Sequence, residues 1–215
     1  MDLARPATAT RTATLSARRV AGVLLFALAA QFMTVIMLAA SIAPAYDSNA
    51  AAISDLGVID STALLFNGSL LAVAVLNILG GYLFYRSHHR AWILALFVIA
   101  GLGALGVALF PLDSGGPHGL FALVAFVAFN LEAIAVAAVL SGPMKAISVL
   151  AGVIGLAFVM VMAIGDSGDG AAFGPIGHGG TERMIVYPAM LWMLALGGYL
   201  MASGGDVDAS GRPAR

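Results

Sequence analysis

The sequence predicts an all-α integral membrane protein, a bundle of six transmembrane helices with both termini in the cytoplasm. The chain is 61% hydrophobic and only 10% charged, whereas soluble domains carry roughly 25% charged residues. Six apolar segments are each close to the ~20 residues that an α-helix needs to cross the hydrocarbon core of a bilayer. They cover residues 20–43, 61–85, 91–110, 119–140, 147–165 and 184–202.

The first apolar segment has to be distinguished from a cleavable signal peptide. Arg18 and Arg19 precede it, and a small-residue site follows at Ala43. The run over residues 20–43 is longer than the roughly 7–15 apolar residues of a signal peptide, so a retained span is predicted. The polar segments 1–17 and 203–215 are predicted to be mobile cytoplasmic tails around a transmembrane domain over 18–202.

The connections between the later spans set the predicted orientation. Two short connections carry Arg86, Arg90 and Lys145, and with the N-terminus inside, nine of the ten Lys and Arg residues become cytoplasmic. Only Arg183 then lies outside. Such a bias in basic residues fixes membrane topology. Together with the high Ala and Gly content, it predicts a multi-pass protein of the plasma (inner) membrane of a bacterium or archaeon.

The three outer connections are longer and acidic. Residues 50–57 suit a short interfacial helix ending at Gly57. Residues 166–181 are rich in glycine and predict a flexible cover that folds over the bundle. The outer acids are Asp47, Asp55, Asp60, Asp113, Asp166, Asp169 and Glu182.

Several chemistries are disfavoured by composition and context. The chain has no cysteine, so a disulfide, a thiolate nucleophile and an iron–sulfur cluster are excluded. Basic residues do not cluster as nucleic-acid binding requires. The glycines of residues 101–106 spell a dinucleotide-binding motif, but they lie within a span and no strand precedes them. Like Gly152, Gly155, Gly197 and Gly198, they are predicted to let helices approach closely.

Four polar residues lie within the spans, where lipid makes them costly: Gln31, Asn77, Asn130 and Glu132. At 1.5 Å per residue they lie ~13–18 Å deep and are predicted to meet near one level. An intramembrane carboxyl group is a functional hypothesis by default. Three interpretations of Glu132 stay open: a neutral group hydrogen-bonded to Gln31 or Asn77 that holds helices together, a ligand contact, and a proton or ion relay.

A second polar constellation is predicted at the outer surface, as a ligand-binding or pocket-lining set. It consists of Asp55, Asn67, Asp113, His118, His178, Glu182 and Arg183. His118 and Glu132 are fourteen positions apart and lie on nearly the same stripe of a helix, with Ala122 and Ala125 between them. This stripe predicts a narrow cavity leading from the outer side toward Glu132.

Two interpretations of the outer set stay open. His118, His178, Asp113 and Glu182 are of the residue types that bind zinc, and a zinc-bound water attacks esters. Alternatively, ion pairs from Arg183 to Asp55 or Asp113 hold the loops to the bundle. In either case we expect Arg183 to pair with an acid, because a lone buried cation is costly.

Short motifs carry a resemblance to a known family. They are Ser54-Asp55-Leu56-Gly57, Phe66-Asn67, Phe110-Pro111, His118, and Glu182-Arg183 before a last span with Trp192. Over about residues 18–202 the chain resembles the prokaryotic membrane family known as domain of unknown function 998. The resemblance implies a six-helix membrane protein without an established activity. The family is similar in layout to a eukaryotic family of six-span proteins, some of which are associated with lipid remodelling.

Two functions follow from these observations. The first is binding of a membrane lipid or other amphiphile, or of a membrane-protein partner, through an outward-facing polar pocket. The alternative is an intramembrane metal-dependent hydrolase acting on a lipid-like substrate, so enzymatic activity stays open. A transporter is disfavoured because no internal duplication is evident. Pro188 is predicted to lie in the first turn of the last span, where proline is tolerated.

Overall fold

The computed structural model describes the backbone of residues 5–202 and the side chains of residues 16–202. Its six long helices are α1 (Arg5–Ile42), α2 (Ala63–His88), α3 (Ala91–Leu109), α4 (Gly116–Val136), α5 (Gly142–Asp166) and α6 (Gly177–Ala202). All six are long and apolar enough to cross a membrane, and the described backbone contains no strand. The predicted fold class, a six-helix membrane bundle, is confirmed.

The N-terminal tail differs in part from the prediction. The backbone is helical from Arg5, so much of the tail predicted over 1–17 continues α1. The tail predicted over 203–215 lies outside the described residues, as do residues 1–4.

The helices form a closed ring. Each packs against its neighbours in sequence, and α6 completes the ring by packing against α1 as well as α5. The closing contact is tight because glycines face each other: a Cβ built on Gly22 would lie 2.7 Å from the Gly197 carbonyl oxygen. The prediction that Gly197 allows close approach is therefore confirmed, whereas Gly198 faces open space. Small residues of this kind let membrane helices pack where apolar burial alone gives little drive.

The distribution of apolar side chains fits a membrane protein. Large apolar residues such as Leu64, Met37 and Leu150 are exposed on the outside of the ring, where lipid would surround them. Inside, Trp192 is fully buried, and its indole Nε1 donates to the Ser148 hydroxyl of α5 at 2.7 Å. This bond joins α5 to α6 and satisfies a polar group that would be costly to leave unpaired.

Three connections meet at one end of the ring, here called the acidic end. They contain the 3₁₀ helix Ile53–Gly57, here called the loop helix, and two further 3₁₀ segments, Leu112–Ser114 and Gly170–Ile176. The prediction of a short helix within 50–57 that ends at Gly57 is confirmed, in a shorter form. The opposite, basic end carries Arg86, Arg90 and Lys145 in or beside its connections.

The glycine-rich last connection is folded onto the bundle. The ring of Phe173 packs over Gly165 of α5 and joins a small apolar cluster with Val159, Met162 and Ile185. Helix α6 starts at Gly177, earlier than the sequence predicts. The predicted position of Pro188 is therefore wrong: it lies in the middle of α6, and it cannot donate to the Met184 carbonyl.

Candidate functional site at the acidic end

The start of the loop helix is held by a carboxylate from the last transmembrane helix. Glu182 of α6 accepts hydrogen bonds from the backbone N–H groups of Ile53 and Ser54. Asp55 Oδ2 accepts from the Ala52 N–H at 2.7 Å. The first N–H groups of a helix have no partner within it, so these two acids supply the acceptors that the loop helix lacks.

The end of the loop helix is held by Asn67 of α2 and by Thr62, the residue that precedes α2. Asn67 Nδ2 donates to the Gly57 carbonyl at 2.9 Å, and the buried Thr62 hydroxyl donates to the Leu56 carbonyl at 2.7 Å. Asn67 therefore positions the loop helix, and it lies outside the lining of the cavities described below.

Arg183 binds backbone carbonyl groups. Its Nη1 donates to the carbonyls of Ser48 at 2.8 Å, Gly179 at 2.8 Å and Ala51 at 3.2 Å. Its Nη2 donates to the Tyr46 hydroxyl at 2.6 Å. No carboxylate in the described part of the chain lies within ion-pair distance of it. The expected pairing of Arg183 with an acid is wrong, because the bent first connection presents its carbonyls to the guanidinium instead.

Tyr46 completes this arrangement. Its hydroxyl donates to the Ala52 carbonyl at 2.7 Å while it accepts from Arg183. Burial raises the pKa of Tyr46 despite the neighbouring guanidinium, so the hydroxyl keeps the proton that it donates. Sequence reasoning missed this residue, because a tyrosine in a loop gives no sign of a distant arginine partner.

His118 is buried at the start of α4, with 5% of its surface exposed. Its Nδ1 lies 2.9 Å from the Phe110 carbonyl oxygen. Since a carbonyl only accepts, Nδ1 carries a proton. Nε2 has no hydrogen-bond partner among the described residues.

A cavity and a groove meet at these residues. The cavity, of about 70 Å³, lies inside the ring and is largely apolar, with walls from α1, α2, α3, α4 and α6. The groove, of about 370 Å³, runs between α4 and α5 beneath the loop helix. Six residues line both: Ser54, His118, Ala122, Phe126, Glu182 and Ile185. The two spaces are therefore separated only by shared side chains.

The cavity stops short of the intramembrane glutamate. Ala122 and Ala125 line it, as the predicted stripe requires, and its lining reaches Phe129 and Asn130. Glu132 lies beyond this floor, is fully buried and lines neither space. The predicted cavity from His118 toward Glu132 thus ends at Phe129 and Asn130 and does not reach Glu132.

The four polar residues of the spans do not join in one hydrogen-bonded cluster. Asn77 Nδ2 donates to Glu132 Oε2 at 3.1 Å and to the Phe97 carbonyl at 3.0 Å, which joins α2, α3 and α4. Gln31 and Asn130 bond elsewhere. Gln31 Nε2 donates to the Ser69 carbonyl at 3.3 Å, and Asn130 Nδ2 donates to the Ile185 carbonyl at 3.2 Å.

Of the remaining predicted site residues, His178 lines the groove and Asp113 does not. His178 Nε2 lies 3.4 Å from Asp166 Oδ1, and both residues line the groove. Asp113 is exposed and lies outside that lining. Among the residues whose side chains are described, no three His, Asp or Glu side chains lie close enough to hold a metal ion. The predicted zinc set of His118, His178, Asp113 and Glu182 is therefore not assembled.

Two further contacts join the first and last connections. Asn49 Nδ2 donates to the Pro175 carbonyl at 2.9 Å, and the Asn49 carbonyl accepts from the Gly179 N–H at 2.9 Å. Sequence reasoning missed Asn49, since an asparagine in an outer loop is common and carries no distinguishing pattern. Asp166 was predicted only to be one of the outer acids, and its place in the groove was missed as well.

Comparison with known proteins identifies the family and no closer relative. The chain belongs to the family described as protein of unknown function (DUF998), whose profile matches residues 20–199. No curated protein and no solved structure matches the chain.

Proposed function

We propose that this membrane protein binds an amphiphile, with the apolar chain in the groove between α4 and α5 and the polar head at the acidic end. The observation that carries the proposal is the order of groups along the groove. Glu182, His118, His178 and Asp166 surround its mouth, while Leu123, Phe126, Val159 and Met162 line the part nearer the membrane centre. This separation of polar and apolar walls matches the two parts of an amphiphile.

The size and access of the groove support this reading. Its volume of about 370 Å³ falls in the roughly 300–1,000 Å³ range of small-molecule sites. Two lining residues, Leu123 of α4 and Ala163 of α5, are also exposed on the outside of the ring. A molecule in the surrounding bilayer therefore has a lateral way in. The inner cavity of about 70 Å³ offers further apolar space behind Ala122 and Phe126.

The proposed orientation places the acidic end on the outer side of a prokaryotic plasma membrane. Its support is the charge distribution, since Arg86, Arg90 and Lys145 lie at the opposite end and basic residues favour the cytoplasmic side. The groove would then take its ligand from the outer leaflet.

The experiment is photo-crosslinking of the purified protein with a diazirine-labelled single-chain amphiphile, mapped by peptide mass spectrometry. We expect crosslinks in residues 119–126 and 159–163. Ala163→Trp fills the groove and should lower crosslinking by about tenfold, the effect of losing about 1.4 kcal/mol of binding free energy.

Ala157→Trp is the matched control. Ala157 is an exposed alanine on the same helix that lies outside the groove lining, so this variant should crosslink as the parent does. Labelling spread evenly over all six helices and unchanged in Ala163→Trp would refute the proposal.

A further inference from the structure

We infer that the head group held at the acidic end is a primary ammonium, as in an alkylamine or an aminoalkyl lipid. The inference rests on the proposed function, because it assigns the chemistry of the head in the same groove. Three features of the groove mouth support it: the hydrogen-bond acceptors there, the unpaired Nε2 of His118, and the fact that Arg183 is already hydrogen-bonded to other groups.

The side chains at the groove mouth are dominated by hydrogen-bond acceptors. Asp166 and Glu182 contribute carboxyl groups from α5 and α6, and Ser54 contributes a hydroxyl from the loop helix. Glu182 Oε2 already receives the Ile53 N–H, whereas Asp166 faces the groove with only His178 as ion-pair partner. An ammonium group has three donors and no acceptor, so it complements this set.

His118 gives a second, independent indication. Its side chain is 95% buried, lines both the groove and the cavity, and has Nδ1 committed to the Phe110 carbonyl. Nε2 has no partner among the described residues. In a neutral ring whose Nδ1 donates, Nε2 accepts, so a donor on the ligand would give this nitrogen a partner.

An anionic head lacks a matching cation. Arg183 is the one Lys or Arg at the acidic end in the described part of the chain, and its guanidinium binds three backbone carbonyls and the Tyr46 hydroxyl. His178 also lines the groove mouth, but its Nε2 is already paired with Asp166 Oδ1 at 3.4 Å. A phosphate or sulfate there would lie beside Asp166 and Glu182 without a positive group that is not already engaged. Burying an unpaired charge beside like charges is strongly unfavourable.

The experiment is displacement of the photo-crosslinking probe from the purified protein in a neutral maltoside detergent. The competitors are dodecylammonium, dodecyl phosphate and ethylammonium. We expect dodecylammonium to displace the probe at a concentration at least about tenfold lower than dodecyl phosphate needs. Ethylammonium, which carries the same head without a chain, should not displace it at those concentrations.

A pair of variants assigns the preference to the groove. Asp166→Asn removes a groove carboxylate and should bring the two dodecyl competitors to within about twofold of each other. Asp169→Asn is the matched control: Asp169 is an exposed acid of the same connection that lies outside the groove lining. It should leave the tenfold preference intact, which separates a local contact from the overall charge of the acidic end.

The outcomes separate the two proposals. Equal displacement by both dodecyl compounds overturns the ammonium assignment and leaves amphiphile binding standing. Displacement by ethylammonium at the dodecylammonium concentration instead overturns amphiphile binding, because the head would then bind without its chain. If no dodecyl compound displaces the probe, amphiphile binding fails, and the ammonium assignment fails with it.

Discussion

Glu182 and Glu132 are both buried glutamates, but they have different surroundings in the ring. Glu182 accepts two backbone N–H groups from a connection far away in sequence, and it borders a groove and a cavity. Glu132 has one side-chain partner, Asn77, and its Oε1 atom has none in the described structure. Glu182 therefore holds the loop helix beside the groove and the cavity. Glu132 joins helices in a part of the ring without a cavity around it.

The difference shows that burial alone does not identify which acid belongs to a functional site. A buried acid is a functional hypothesis in a membrane protein, and on that criterion Glu132, in the middle of a span, ranks first. The surroundings reverse the ranking, because ligand binding needs space as well as polarity. Space is found near Glu182 and His118, and Asn130 marks where it ends.

The largest effect is expected from removing the acceptor at Glu182. Glu182→Leu leaves the N–H groups of Ile53 and Ser54 without an acceptor, and each buried unpaired donor costs about 1–3 kcal/mol. We expect the free energy of unfolding in detergent to fall by about 2–6 kcal/mol, measured by thermal or denaturant unfolding.

Glu182→Gln is the control for that prediction, because its amide oxygen still accepts a hydrogen bond. It should keep most of the stability that Glu182→Leu loses. Equal losses in the two variants would mean that the negative charge, and not the acceptor atom, holds the loop helix.

A smaller effect is expected at the floor of the cavity, where α4 packs against α5. A Cβ on Gly155 of α5 would overlap the side-chain amide of Asn130. Gly155→Ala should therefore force α4 and α5 apart and lower the free energy of unfolding by about 1–3 kcal/mol, the usual cost of overpacking.

Gly198→Ala provides the comparison, since Gly198 has open space where its Cβ would lie. It should keep or slightly raise stability, because alanine favours helix over glycine. A Gly155→Ala protein as stable as Gly198→Ala would show that Asn130 does not fix the spacing of α4 and α5.

The smallest effect is expected at Glu132. Glu132→Leu removes the bond to Asn77, whose Nδ2 keeps the Phe97 carbonyl as acceptor. We expect a loss of about 0.6–2 kcal/mol, as for single hydrogen bonds between membrane helices. Glu132→Gln should lose less, since its amide can still accept from Asn77. If both variants lose the same stability, Glu132 is required as a carboxylate and not as a joint between helices.

The fold was predictable from the sequence because each span carries its own signal. A run such as residues 91–110 needs no knowledge of its neighbours to be recognised as a membrane helix. The start of α6 was missed because Gly177, Gly179 and Gly180 read as loop residues. Gly179 lies in the helix, and it is so close to the carbonyl oxygens of Ser48 and Ala51 that a side chain would clash. Glycine is needed there for this contact and not for a loop.

The site was less predictable, because its geometry depends on pairs that lie far apart in sequence. Buried acids and imidazoles could be named from residue type and position, which is how His118 and Glu182 were found. Their partners could not: the backbone of residues 48–54 binds Arg183 and Glu182 through groups that every residue possesses. No side-chain pattern records which carbonyl or N–H a loop will present.

The bond between Glu182 and the Ile53 N–H spans 129 positions of the chain. Proteins are made N-terminus first, so the loop helix reaches the membrane surface well before the carboxylate that holds it. Until α6 enters and packs against α1, the N–H groups of Ile53 and Ser54 lack that acceptor, and the groove lacks one wall. The site is therefore completed by the last step of membrane insertion, and a chain that stops after α5 carries most of its residues without forming it.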